Sequence, residues 1–231
     1  MIRLAGVTKR FGAKEALTQV CFSLRPGEAL GLIGHNGAGK TTTLRLMAGI
    51  LTPSVGEIHR PANFKAAIGF LRDEPFVFDY LTGREMLYFI AALYRVPHQV
   101  VRPRIQYFLE LFDLERQADR LIRNYSRGMR RKTALIGALL HDPVYWLLDE
   151  PTESLDPAAI RALKDLIRSA RAENRAVLVS THQLAFAESL CDRVVMLHRG
   201  AVIYDGALQA LRTPSGERAP LEDIYLQMVA E

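Results

Sequence analysis

The sequence predicts an α/β fold: a parallel-sheet core with a run of helices inserted into it. Three observations carry that prediction. Three short, mostly apolar segments, Ala29–Ile33, Val144–Leu148 and Ala176–Ser180, read as strands buried on both faces. A glycine-rich loop and then a helical period follow the first of them. From Thr82 to about Leu140 the recognisable periods are helical. The 231 residues carry no internal repeat and no long Pro/Gly/Ser linker. One domain spanning 1–231 is therefore expected, with about 76–140 as the inserted helical subdomain.

The elements follow in order. Residues 2–24 read as two strands, because Val20, Phe22 and Leu24 alternate with polar positions. Pro26-Gly27-Glu28 is a turn leading into the first buried strand. After the glycine-rich loop, Leu44, Met47, Ala48 and Leu51 keep a helical period, which Thr52-Pro53-Ser54 is expected to end. Ala67–Leu71 looks like another strand. Thr82-Gly83-Arg84-Glu85 matches a capping box, and Ile105, Phe108, Leu109 and Phe112 fall at i, i+3, i+4 and i+7. Asp156-Pro157 opens a helix with a cap and a proline at its first position. Val194–Leu197 and Ala201–Tyr204 form a hairpin, and Leu221–Ala230 a terminal helix.

Composition excludes several classes. Hydrophobic residues are 49% and charged residues 24%, an ordinary globular balance that rules out disorder and fibrous repeats. The net charge of +5 is mild and gives no argument for nucleic-acid binding. Two cysteines, Cys21 and Cys191, cannot form a disulfide framework, and both read as reduced core thiols of a cytosolic protein. The apolar runs fall well short of the roughly 20 residues that a spanning helix needs. Arg3, Lys9 and Arg10 are not separated by the apolar stretch of a secretory signal.

The chemistry begins at Gly34-His35-Asn36-Gly37-Ala38-Gly39-Lys40-Thr41, which fits G-x-x-x-x-G-K-[ST] between a buried strand and a helix. Small residues there let successive backbone N–H groups cradle phosphate oxygens, and the helix N-terminus adds unpaired donors. Lys40 supplies a full charge, and the Thr41 hydroxyl is a hard oxygen suited to Mg²⁺. Thr42 continues the phosphate-binding set. Val144–Leu148 runs into Asp149 and Glu150. Alone, that pair would read as acids closing a strand at the surface. Beside a phosphate loop, Asp149 can reach Mg²⁺ and Glu150 can face an attacking water.

Together these segments resemble the nucleotide-binding subunit of ABC transporters, nearly end to end. Tyr125-Ser126-Arg127-Gly128-Met129-Arg130-Arg131 looks like the family signature, with Arg127 where the commonest form has a glycine. Ser126 caps the helix that follows, and in the family this helix end faces the γ-phosphate held by the other protomer. Ser154-Leu155-Asp156 resembles the D-loop at the dimer seam. Thr181-His182-Gln183 resembles the switch-histidine segment, which makes His182 a γ-phosphate contact. Phe11 resembles the aromatic that stacks on adenine; otherwise it reads as a buried strand-end ring. Within Ile68–Pro75, Asp73 or Glu74 stands where the family usually has glutamine, and Asp73 is carried over as a candidate metal contact. The basic cluster Arg120, Arg123, Arg127, Arg130, Arg131 and Lys132 reads mostly as a solvated helix face, with Arg127 near nucleotide or a partner.

The resemblance implies a P-loop NTPase core of ABC ATPase type, with an antiparallel β subdomain and the inserted helical one. It implies an ATP hydrolase using ATP and Mg²⁺, with Glu150, His182 and Lys40 catalytic. It implies two cassettes, identical or different, closing over two ATP molecules and driving a separate transmembrane permease, most plainly an exporter. The expected location is peripheral, on the cytoplasmic face of the membrane. Two other classes compete: a non-transport ABC ATPase acting on a soluble or nucleic-acid complex, and a P-loop kinase or GTPase. The last has no use for the Ser126-Arg127-Gly128 segment.

Overall fold

The computed structural model describes residues 1–211 and 219–230. The amino-terminal strands are β1 (Ile2–Phe11), β2 (Lys14–Leu24) and β3 (Ala29–Ile33). Helix α1 (Lys40–Met47), β4 (Val55–His59), α2 (Phe64–Ala67) and β5 (Ile68–Leu71) follow. The middle of the chain is helical: α3 (Gly83–Leu93), α4 (His98–Leu111) and α5 (Arg127–Leu139). Then come β6 (Tyr145–Asp149), α6 (Pro157–Ala172), β7 (Ala176–Thr181) and α7 (Leu184–Glu188). The hairpin β8 (Arg193–His198) and β9 (Ala201–Ala207) precedes α8 (Leu221–Ala230).

Two sheets result. A three-stranded antiparallel sheet has the order β2-β1-β4. A six-stranded sheet has the order β5-β6-β7-β3-β8-β9, parallel except for β9 at its edge. The parallel strands are buried on both faces, as their apolar runs require. Leu30, Leu32, Leu147 and Leu178 pack with Leu44 and Met47 of α1 and with the antiparallel sheet. Trp146, Leu148, Val177 and Val179 point the other way, onto Leu135 and Ile136 of α5 and Leu163 and Ile167 of α6. Each such side chain, once fully buried, stabilises the fold by about 1.5–3 kcal/mol.

The local signals hold where they are chemical. The Thr82–Glu85 capping box is closed in both directions, with bonds of 3.2 and 2.8 Å. Asp156 caps α6 through the Ala159 N–H at 2.8 Å, and Pro157 follows it. Three expectations need correction. First, α1 stops at Met47, because Gly49 turns left-handed at φ 71°, so Leu51 lies outside the helix and Thr52-Pro53-Ser54 does not end it. Second, Cys21 is exposed rather than in the core. The period of two that buries Val20 and Phe22 turns Cys21 outward. Third, Arg131 and Lys132 are buried at 2% and 9% exposure, not on a solvated face. They lie four residues before Leu135 and Ile136, on the inward side of α5. The strand β4 and the helices α2 and α7 have no counterpart in the sequence reading, and Ala67, read as the start of a strand, ends α2 instead.

Burial pushes the Cys191 thiol up to about 12, while Cys21 faces solvent. A thiol-specific reagent at pH 8 is therefore expected to titrate one cysteine in the native protein and both in denaturant. Two fast equivalents in the native state would contradict the placement of Cys191.

Candidate active site at the sheet edge

The register of the parallel strands assembles the site. Ile33 of β3 lies opposite Thr181 of β7, and Ser180 of β7 lies opposite Asp149 of β6. Three strands therefore end side by side, and the segments that leave them share one edge, where open α/β sheets bind ligands. Those segments are the phosphate loop, the Asp149-Glu150 pair and Thr181-His182. The phosphate loop and Glu150 line a cleft of about 720 Å³; Asp149 is buried and does not line it, and His182 lines a smaller neighbouring hollow with His35.

The loop owes its path to two glycines. Gly39 adopts φ 110° as the residue before α1, and a Cβ there would meet the Leu17 side chain at 2.5 Å. A Cβ at Gly34 would meet the Leu197 carbonyl oxygen at 2.6 Å. Gly200 at the hairpin turn donates to the Ala38 carbonyl at 3.1 Å, pinning the loop from outside. Lys40 folds back over it, donating to the carbonyls of Gly34 at 2.7 Å and His35 at 3.4 Å. His35, Asn36, Gly37, Gly39, Lys40, Thr41 and Thr42 line the cleft, while Gly34 and Ala38 are buried beneath it. Phe11, at 49% exposure, lines the cleft too, with the Lys9 ammonium 5.1 Å from its ring centroid. It is an open ring face, not a buried strand end.

The two acids differ in environment. Asp149 is fully buried; one oxygen accepts from the Ser180 hydroxyl and the other, Oδ2, has no partner. Burial pushes its carboxyl above the usual carboxylate range. The hydroxyls of Ser180 and Thr41 work against that shift, and the charges of Asp73 and Glu150 add to it. Glu150 is 6% exposed and spans two partners: Oε1 is 3.3 Å from Lys40 Nζ, and Oε2 is 3.0 Å from His182 Nδ1. Its backbone is left-handed, at φ 46°, a conformation that persists only when neighbours fix it. Its N–H donates to the Ser180 carbonyl at 3.0 Å, and its own carbonyl accepts from Arg131 at 2.5 Å. Among the described residues, no group of three or more His, Cys, Asp or Glu side chains is arranged to hold a metal by itself.

Asp73 also lines the cleft. Ser126 and Gly128 do not. Ser126 caps α5 through the Met129 N–H at 3.2 Å and is exposed. Gly128 lies against the turn after β6, where a Cβ would come within 2.6 Å of the Ser154 carbonyl oxygen. The sequence reading missed Ser180, and it did not separate the buried Arg131 and Lys132 from the outward-facing members of the basic cluster. Lys132 pairs with Asp156 at 2.6 Å and, with the Ala159 N–H, holds that carboxyl below the usual range.

With this geometry in hand, the comparisons with known proteins decide the family. The family model for ABC transporters matches residues 17–153. A curated relative, the ABC transporter ATP-binding protein NatA of Bacillus subtilis, is 36% identical over 224 residues, 91% of each chain. This chain belongs to the ABC transporter ATP-binding family. The Nod factor export ATP-binding protein I of Rhizobium leguminosarum is 37% identical over 222 residues, 91% of this chain and 70% of that one. A solved ATP-binding subunit of an ABC transporter superposes with a TM-score of 0.92 at 32% identity, covering 99% of both chains. The dimeric cassette MJ0796, solved in a post-hydrolysis state with ADP and phosphate, gives 0.79 at 26% identity, covering 90% of this chain and 99% of that one. The cassette is thus an ATP-binding ATP hydrolase of the ABC type, with the P-loop core and antiparallel sheet expected of it.

Gly128→Ala is expected to force the Ser154 turn away and to lower stability by about 1–3 kcal/mol. Urea denaturation reads it, and an unchanged midpoint would deny the close approach.

Proposed function

We propose that the cassette is the ATP-hydrolysing motor of a membrane transporter, an exporter in direction. The observation that carries the catalytic part is the Glu150 carboxylate, held between Lys40 and His182 at the cleft. Phe11 stacks on the adenine, and the N–H groups from His35 to Thr42 cradle the phosphates. Lys40 leaves Glu150 for the β- and γ-phosphates, because a polyphosphate is the stronger partner. That exchange frees Glu150 to take a proton from the attacking water, while His182 fixes its orientation and contacts the γ-phosphate. Thr41 and Asp149 would hold Mg²⁺, with Asp73 as a third candidate. The partnerless buried Oδ2 of Asp149 and the nearby Thr41 hydroxyl support that fit. When bound, the ion offsets negative charge on the phosphates.

Ser126 and Gly128 serve the site of a second cassette, identical or different. ATP then acts as a bridge, since its contacts to that helix end exist only in the closed pair. The whole chain works as one ATP-binding domain, with about 76–140 as the subdomain that passes motion on. Exposed rings there, Phe76, Phe78, Tyr80 and Phe89, offer an apolar face to a separate transmembrane permease. No helix among the described residues is long and apolar enough to cross a membrane. A peripheral association at the cytoplasmic face belongs to the transporter reading. Export is supported by the likeness to the Nod factor relative. Nucleic acid is not expected as a partner, the net charge of +5 being mild.

Glu150→Gln is expected to bind ATP while hydrolysing it about a hundred- to ten-thousand-fold more slowly. Full-rate turnover would remove Glu150 as the base. Lys40→Ala is expected to lose ATP affinity, read by titration with a fluorescent ATP analogue. Unchanged binding would refute its role. Tagged Glu150→Gln protein, locked with Mg·ATP and recovered from native membranes, should bring down a multi-span membrane protein. Recovery of a soluble partner or nucleic acid alone would overturn the transporter assignment.

A further inference from the structure

Arg131 closes the signature segment and was given no role of its own there, yet it is among the most deeply buried side chains in the protein. A guanidinium is not tolerated there unless most of its donors are used, and here only Nε lacks a partner. Nη1 donates to the carbonyls of Arg72, at 2.6 Å, and Asp73. Nη2 donates to the carbonyls of Asp149 and Glu150, at 2.5 Å each. The location gives these bonds their meaning. Strands β5 and β6 pair in register from Ile68↔Tyr145 to Leu71↔Leu148, and there the ladder ends. The next two residues on each side, 72–73 and 149–150, give their carbonyls to one side chain on α5. Arg131 therefore continues the join beyond the last rung.

Its charge matters as well. Asp73, Asp149, Glu150 and Glu153 all surround the guanidinium: burial works against its protonated form, and these four carboxylates support it, Asp73 most. Arg131, Asp73 and Glu153 also line one small cleft of about 290 Å³ beside the nucleotide site. We propose that Arg131 is a positioning residue for ATP hydrolysis. It clamps the Arg72-Asp73 segment to the Asp149-Glu150 segment, and it supplies the positive charge that lets the carboxylate of Asp73 stand beside those two acids. Lysine cannot replace it, because a single ammonium lacks the planar fork that reaches four carbonyls. The inference rests on the proposed role of Glu150.

The test is a double-mutant cycle on the full chain, with kcat and ATP affinity measured separately. Arg131→Gln is expected to lower kcat by about ten- to a hundredfold, as displacement of a reacting group does, with ATP affinity changed less than about threefold. In an Asp73→Asn background the same substitution should cost at least about fivefold less, because the carboxylate that needed the charge is gone. A merely structural role would give the same loss in both backgrounds, and that result would overturn the proposal, as would a kcat within about twofold of wild type for Arg131→Gln. Arg131→Lys keeps the charge and loses the fork. It should lower kcat by at least about threefold and gain nothing from Asp73→Asn. This variant carries the test if Arg131→Gln does not fold, and wild-type turnover in it would also overturn the proposal. Full-rate hydrolysis by Glu150→Gln would instead strike at the base assignment, so the two failures are distinguishable.

Discussion

The ion pair between Lys40 and Glu150 is the contact around which the site is organised. Both side chains are nearly excluded from solvent and stand 3.3 Å apart. Burying two charges costs several kcal/mol each unless they meet and their remaining donors and acceptors are used. The surrounding structure supplies those partners. The phosphate-loop carbonyls take the ammonium, and His182 takes the second carboxylate oxygen. The pair can form only if the loop after β3 and the turn after β6 arrive at the same edge. That makes the strand register the first requirement and the glycines of the loop the second.

Charge at this edge is balanced by a few buried cations. Asp149, Glu150, Asp73 and Glu153 gather within one region, and both Lys40 and Arg131 answer them. Lys132, the next residue of α5, does the same for Asp156. Helix α5 therefore has two jobs. Its cap, Ser126, faces outward, while its second turn reaches inward with Arg131 and Lys132. A movement of α5 as a rigid rod would be felt both at the exposed cap and at the carbonyl of Glu150. The close contact of Gly128 with the Ser154 turn ties the same helix to the segment after the acids.

The motifs were legible because they are local. G-x-x-x-x-G-K-[ST], the apolar strand with two acids and the capping box each depend on residues within one turn or one strand. Backbone sterics and hydrogen-bond chemistry act at that range. The inward face of α5 was only half legible. Counting back four positions from Leu135 and Ile136 places Arg131 and Lys132 on the buried side, yet a run of basic residues reads as a solvated face when no acceptor is in view. Their acceptors are backbone carbonyls 18 to 59 residues away and the carboxylate of Asp156. The exposed Cys21 is the converse case, since the strand period that buries Val20 was enough to turn it out.

The sequence by itself determined the α/β class, the phosphate loop, the acid pair and the family, because each is written in contiguous residues whose spacing has few physical solutions. Only the tertiary structure decided that Glu150 lies between Lys40 and His182, that Asp149 keeps a partnerless oxygen, and that Arg131 joins two strand ends. Those facts depend on which strands lie side by side and in what register. Long-range pairing of that kind is settled by packing of the whole sheet, not by any one segment.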